Sequence, residues 1–451
     1  MGNNKTDIAL IHIDRWSSSN SGLAILEPVL RRSGLTCLQI NASELDKYID
    51  ITDVFGFSVF DHTYPIAQGL TQRLLDKKVI WGGWTPTALP EFVLEYNPAV
   101  DFVILEEGEK RLPSLLKSFR DPSLFDSIDG IAYRDTSGRI QVRRPRTNVD
   151  MNALPLPNEL SILNDIVFVE LSRGCYGQCH YCQESYKMRF KNASRVVEEI
   201  QQWYDRGKDR FYIGNANSLA NGPLLHEVID ELEGKQLAVE LSLVGRPNDV
   251  IRNRDVLERV FKSPNLRLGF VEIGVEANTQ NALDLLGRRS TPEINRKAIT
   301  HLLKLRDTYS PGTEVMANMI LFSHFDMTLE DFIANVCFIG EFGCSRDVTT
   351  LRLCGLANTP IWDAMKERGF VPDPAWGLQI ANYRFTDDVV DQLFRKFTAH
   401  FRSMLTIPNG TGLELSSVAA AKRWAHDKVV EFYFSGDILG SIKAFVEGVA
   451  L

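Results

Sequence analysis

Continuous apolar runs alternate with amphipathic stretches over residues 6–119. "DIALIHI", "TCLQI", "DVFGFSVF", "KKVIWGG" and "DFVIL" read as strands, and "LAILEPVLRRSG", "YPIAQGLTQRLLD" and "LPEFVLEY" between them as helices. Strands that are apolar on both faces and separated by helices predict a parallel sheet covered on both sides. Five such strands suggest a flavodoxin-like, Rossmann-type doubly wound sheet of order 2-1-3-4-5. Ligands of such sheets sit at the carboxyl ends of the strands, near the switch point. Small residues stand at those ends: a loop opening at Asp14, Ser58 after the third strand, and Gly82 and Gly83 after the fourth. Each alone is accounted for by a chain turn; the three together point to a ligand site.

The pattern changes after residue 120. "IDGIAYRDTSGRIQVRR" predicts a hairpin with a Ser-Gly turn, and the spaced prolines of "NALPLPNEL" an extended linker. A second α/β series follows, opening with the strand "DIVFVELSRG" and ending with the strand "DVTTLRLCG". Its six strand–helix units predict a partial (β/α)6 barrel, a fold whose chemistry lies at the C-terminal ends of the strands. The last segment is helical, with "FTDDVVDQLFRKFTAHFRSML" and "SVAAAKRWAHDKVVEFYF" its clearest helices. The expected organisation is therefore α/β: a Rossmann-like domain over 1–120, a hairpin and linker over 121–160, the barrel over 161–360, and a helical lid or accessory region over 361–451.

Composition narrows the function classes. Apolar content of 44% and charged content of 24% are globular values, and a formal net charge of −8 argues against nucleic acid as a partner. No apolar run is long enough to span a membrane, and "MGNNKTDIALIHID" lacks the basic-then-apolar layout of a signal peptide. Seven cysteines, four of them scattered (Cys37, Cys337, Cys344 and Cys354), do not make a disulfide framework, so a reducing, cytoplasmic compartment is expected.

The other three cysteines fall in "GCYGQCHYC", where the barrel's first strand ends: Cys175, Cys179 and Cys182. Structural zinc needs four closed ligands, usually as two knuckles, and only Cys179 and Cys182 have that spacing. A redox pair would leave Cys175 unexplained. A closed iron–sulfur site would take a fourth cysteine from Cys337, Cys344 or Cys354. The remaining reading is a three-cysteine [4Fe–4S] cluster with one iron open.

The pattern C-x₃-C-x₂-C with an aromatic before the last cysteine resembles the radical S-adenosylmethionine (radical SAM) superfamily. The resemblance implies that S-adenosylmethionine chelates the open iron and that Tyr181 lies beside its adenine. It also implies that Asn215 and Asn217 face its amino group, that Ser242 and Arg246 face its carboxylate, and that Glu276, in a segment similar to the family's "GxES", contacts the nucleoside. The first domain resembles the cobalamin-binding domain that precedes many such barrels, which implies that Ser58, Gly82 and Gly83 line the site for the nucleotide tail. Three departures stand out. The D-x-H-x-x-G axial-histidine signature is absent, Glu106 replaces a glycine of the usual "GEGE", and the bulky Trp84 follows the glycine pair.

The function that follows is a cobalamin-dependent radical SAM enzyme, expected to methylate an unactivated carbon of a small-molecule or peptide intermediate with an external electron donor of flavodoxin or ferredoxin type. The alternative is a radical cyclisation or rearrangement without cobalamin. His324, in "LFSHFDMT", and Cys354, after the sixth strand, are the candidates for further catalytic roles.

Overall fold

The computed structural model describes residues 6–13, 19–50, 52–184, 187–214, 216–343, 348–370, 380, 383–404 and 415–448. The chain divides between Phe168 and Val169 into two compact units.

In the first unit, β1 (Ile8–His12), α1 (Ser19–Arg32), β2 (Cys37–Asn41), β3 (Val54–Ser58), α2 (Tyr64–Thr71) and β4 (Lys78–Gly82) are followed by α3 (Trp84–Ala88), α4 (Pro90–Tyr96), β5 (Phe102–Ile104), α5 (Gly108–Ser118), β6 (Ile131–Arg134) and β7 (Ile140–Arg143). The strand order is β2-β1-β3-β4-β5-β6-β7, the flavodoxin-like order with two strands added. Alternate residues of each strand enter opposite cores. Ala9, Phe55, Phe57, Val79 and Trp81 pack into one, Ile8, Leu10, Val54 and Ile80 into the other. That two-sided burial is why the strands read as unbroken apolar runs. The predicted hairpin is not a free-standing connector: β6 pairs antiparallel with β5, and β7 with β6, so it extends the sheet.

Ser58 and Gly82 pair across β3 and β4, which sets these two strand ends side by side. Gly83 has a different role. Its φ is 102°, and a Cβ there would lie 2.6 Å from the Val59 carbonyl oxygen. Packing alone demands this glycine, whereas a Cβ at Gly82 would meet nothing closer than 3.8 Å. Gly83→Ala is therefore expected to destabilise the first unit by about 3 kcal/mol, as strain and a backbone clash combine. Gly82→Ala is expected to cost less than about 1 kcal/mol. Urea unfolding of the two variants compares them directly.

β8 (Ile162–Leu163) turns antiparallel into β9 (Ile166–Glu170), which carries the chain across the division between the units, and in the second unit the short strands β10 (Ser172–Arg173) and β11 (Arg189–Phe190) pair with each other. Then come α6 (Ala193–Tyr204), β12 (Arg210–Gly214), α7 (Gly222–Gly234), β13 (Val239–Gly245), α8 (Pro247–Arg252), α9 (Arg254–Lys262), β14 (Leu266–Glu276), α10 (Gln280–Leu285), α11 (Pro292–Tyr309), β15 (Glu314–Phe322), α12 (Leu329–Phe342) and β16 (Val348–Arg352). The sheet order β16-β15-β14-β13-β12-β9-β8 and the parallel pairing from β12 to β16 are those of a partial (β/α)6 barrel.

Local chemistry fixes the helix starts: Thr279, Thr291 and Thr328 cap α10, α11 and α12 through their hydroxyls, and Asp331 completes a capping box on α12. The C-terminal helices α13 (Pro360–Glu367), α14 (Asp388–Met404), α15 (Leu415–Phe434) and α16 (Ile438–Glu447) follow. The Phe322 ring lies 5.1–5.8 Å from the rings of Phe332, Phe385, Phe394 and Phe397, which ties α14 to the end of β15. Gly340 of α12 lets α15 approach, since a Cβ there would overlap the Tyr433 ring. Of these helices, α14 and α15 pack against α12.

Candidate active site

The β10–β11 pair flanks the cysteine loop and clamps its base. Beneath the clamp, Lys191 donates to Glu199 at 2.9 Å, and both side chains are buried. A buried ion pair of this kind fixes geometry more than it adds stability. The middle of the loop is bolted down at His180. Its amide donates to the Leu286 carbonyl at 2.9 Å, its Nδ1 is 3.0 Å from the Leu285 carbonyl, and its own carbonyl accepts from the Ile361 amide. Gly287 makes room for the imidazole, since a Cβ there would lie 2.5 Å from the ring.

The three thiols differ in their partners. Cys175 accepts from the Gly177 amide and Cys182 from the Glu184 amide, each at 3.4 Å. Cys179 instead accepts from the Arg288 guanidinium, whose Nη1 is 3.5 Å from its Sγ. Desolvation raises the Cys182 thiol to about 11 and also raises Cys175, where the Gly177 amide and Arg246 oppose it. Any metal centre bound here displaces those protons, which couples its uptake to pH. Among the described residues no three His, Cys, Asp or Glu side chains converge tightly enough to hold a single metal ion. The thiols could instead hold a multi-iron cluster, which spreads its ligands more widely.

Tyr181, Glu276 and Arg288 form one group beside the cysteines. The strand β14 ends in a register shift against β15 between Gly274 and Glu276, and Glu276 has a φ of 69°. The twist of such a bulge re-aims the side chain, here to the Tyr181 hydroxyl, which donates to the Glu276 carboxylate. Burial raises the Glu276 carboxyl, while Arg288 and the Tyr181 bond hold it back. Arg288 also donates to the Gly274 carbonyl.

Arg246, just past the end of β13, is only 4% exposed, yet among the described residues none of its three guanidinium nitrogens has a hydrogen-bond partner. The guanidinium lies over the Tyr176 ring at 5.3 Å. It sits directly against Gly177: a Cβ there would fall 2.2 Å from Nη1 and 3.4 Å from the Cys175 sulfur. Tyr176 donates to Asp249 at 2.7 Å, and Asp249 also accepts from Asn217 at 2.7 Å and pairs with Arg252. A buried cation against the cysteine loop, with no bonded anion among the described residues, could receive a carboxylate.

Other sequence candidates fall elsewhere. Ser242 is not at a strand end: it sits mid-strand in β13, and its hydroxyl accepts from the Phe270 amide at 3.3 Å. Asn217 is engaged with Asp249, although its buried Oδ1 has no partner among the described residues. Asn215 and Cys344 lie outside the described residues, as does the loop at Asp14. His324 is buried with its ring 4.0 Å from Phe325, and its Nδ1 accepts from the Asp326 amide at 3.0 Å. Desolvation pulls it down to about 4, so it is neutral at neutral pH with its proton on Nε2. Cys354 follows β16 by two residues.

In the first unit, Glu106 is exposed at φ 57°, in the left-handed region that a glycine fills without strain. Its amide donates to Thr87 at 2.9 Å. Trp84 is 38% exposed. Neither side chain is buried among the strand ends. Arg288 and the Tyr176–Asp249 pair were not foreseen from the sequence. A paired "RR" ordinarily marks a solvated turn, and only the packing separates the exposed Arg289 from the buried Arg288.

Residues 169–333 match the Radical SAM superfamily. The anaerobic magnesium-protoporphyrin IX monomethyl ester cyclase of Synechocystis sp. is 24% identical over 279 residues, covering 58% of this chain and 55% of that protein. The solved structure of the cobalamin-dependent S-adenosylmethionine radical enzyme OxsB, with aqua-cobalamin and S-adenosylmethionine bound, is similar with a TM-score of 0.76 and 16% identity. It covers 99% of this chain and 75% of that one. The radical S-adenosylmethionine methyltransferase TsrM from Kitasatospora setae is similar with a TM-score of 0.61 and 15% identity, over 75% and 71% of the two chains. The chain spans about half the length of the first curated relatives it matches.

Proposed function

We propose that this member of the radical SAM superfamily is a cobalamin-dependent enzyme that methylates an unactivated carbon of a small-molecule or peptide substrate. Arg246 carries the reading: a buried guanidinium next to Cys175, without hydrogen-bond partners among the described residues. Cys175, Cys179 and Cys182 would hold a [4Fe–4S] cluster, and Arg246 would receive the carboxylate of S-adenosylmethionine at its open iron. Tyr181 and Glu276 would face the nucleoside, the first through its ring and the second through a carboxylate oxygen left by the Tyr181 bond. Ser58 and Gly82 would line the corrinoid's tail site, with Gly83 shaping the turn behind them.

When bound, these cofactors supply one-electron cleavage of the sulfonium to a 5′-deoxyadenosyl radical, and methyl transfer through the corrinoid. The chain's own part is to hold the donor rigidly. The His180 bonds and the β10–β11 clamp keep the cysteine loop fixed, and the Asp249–Tyr176 bond keeps the Arg246 platform in place. The electron comes from an external reductant. No described helix is long and apolar enough to cross a membrane.

Anaerobic reconstitution with iron, sulfide and hydroxocobalamin, followed by desalting, tests the proposal. Corrinoid bands are expected to persist, and once a low-potential reductant has taken the corrinoid to the cob(I) level and S-adenosylmethionine is added, S-adenosylhomocysteine is expected to form in proportion to retained corrinoid. An intact cluster with no retained corrinoid, together with 5′-deoxyadenosine but no S-adenosylhomocysteine, would transfer support to a cobalamin-free radical reaction. The similarity to a cyclase keeps that second reading in view.

A further inference from the structure

We infer that Arg288 sets the reduction potential of the cluster held by the three cysteines, through its N–H···S bond to Cys179; the inference rests on the reading of those cysteines as cluster ligands. Three observations carry it. Cys175 and Cys182 each accept from a backbone amide, whereas Cys179 accepts from a charged side chain at 3.5 Å. Arg288 is 7% exposed, so its charge acts through a medium of low effective dielectric. Its second donor is fixed on the Gly274 carbonyl, and a Cβ at Gly274 would come within 3.5 Å of Nη2, so the guanidinium is held by backbone.

The sign follows from charge. One electron added to the cluster makes the Cys179 sulfur a stronger acceptor and raises the negative charge beside the guanidinium. A charge-assisted donor therefore stabilises the reduced state more than the oxidised state and raises the potential. Glu276 is a further acidic partner of that cation, while Tyr181, its phenol raised by burial and donating to Glu276, stays neutral. Arg288 is a positioning and tuning residue: it touches a ligand of the cluster and need not touch the substrate.

The test is a dithionite-poised titration of the reconstituted holoprotein without S-adenosylmethionine, followed by electron paramagnetic resonance of the reduced cluster. Arg288→Met and Arg288→Gln are compared with the parent, and iron content and thermal unfolding serve as controls. In both variants the ratio of reduced to oxidised cluster at a fixed poise is expected to fall about tenfold, equivalent to about 59 mV for a one-electron couple. Arg288→Lys, which keeps the charge but loses the fork, is expected to fall between. Full cluster content with an unchanged ratio would overturn the inference. Failure of both neutral variants to take up iron would overturn it too, since Arg288 would then be a folding element. A parent protein that binds no four-iron cluster is seen in the absorption spectrum before any potential is read, and it overturns the underlying reading instead.

Discussion

Replacing Cys175, Cys179 and Cys182 together with alanine is expected to abolish cluster uptake and to reduce S-adenosylmethionine cleavage to the uncatalysed level. The loss is on the order of 10⁶-fold or more, because on the proposed reading the electron that enters the sulfonium bond comes from this cluster. Iron and sulfide content and the 5′-deoxyadenosine yield measure it. The fold is expected to survive, because the loop is held by contacts other than its thiols: the β10–β11 ladder, the His180 bonds and the Gln183 side chain, whose amide donates to the Ala357 carbonyl at 2.8 Å. Cys354 supplies the decisive control. The loop touches Ala357 and Ile361, which follow Cys354 by a few positions, so Cys354 is the cysteine to test as a fourth protein ligand of a closed cluster. Cys354→Ala with full cluster and full cleavage supports the open-iron reading. Loss of the cluster in that variant would establish an electron-carrying site and remove the binding position for S-adenosylmethionine.

The parts of this molecule legible in its sequence are those that local pattern controls. Strands buried on both faces, such as Ile8–His12 and Val54–Ser58, carry unbroken apolar runs, so the doubly wound order followed from their alternation with helices. Spacing gave the cysteine loop its place after the barrel's first strand. The rest was set by contacts between distant segments. The pairs Ser172–Phe190 and Arg173–Arg189 are too short to show any periodicity, so the clamp at the loop's base left no signal. Ser242 read as a strand-end residue because the strand's true end, three positions later, is marked only by Gly245 and the following Arg-Pro. Gly82 and Gly83 look alike in sequence, and only the approach of Val59 shows that one is required by packing while the other leaves space. Charged residues were the least legible. Arg246 was assigned from its position alone, and its isolation as a buried cation is a property of the packed structure.

That isolation makes Arg246 the site of the second large expected effect. Arg246→Met is expected to weaken S-adenosylmethionine binding by about 3 kcal/mol, on the order of 10²-fold, by removing a desolvated cation from its carboxylate. The variant is expected to fold and to keep its cluster spectrum, because no hydrogen bond among the described residues depends on these nitrogens. Methionine also retains an apolar body against the Tyr176 ring. Gly177→Ala reaches the same interaction from the other side. A methyl at 177 would occupy the space of the Arg246 Nη1, and the flexible end of the arginine can yield where backbone could not. That variant keeps the charge but displaces it, so a smaller loss, about tenfold, is expected. Equilibrium binding to the reconstituted protein, read alongside cluster absorbance, separates the two effects. In the double variant the losses should not add, because both act on one contact. Binding that is unchanged in Arg246→Met would mean that the carboxylate lies elsewhere, and the buried guanidinium would then belong to a different anion. Additive losses would mean that Gly177 serves the cysteine loop rather than the arginine beside it.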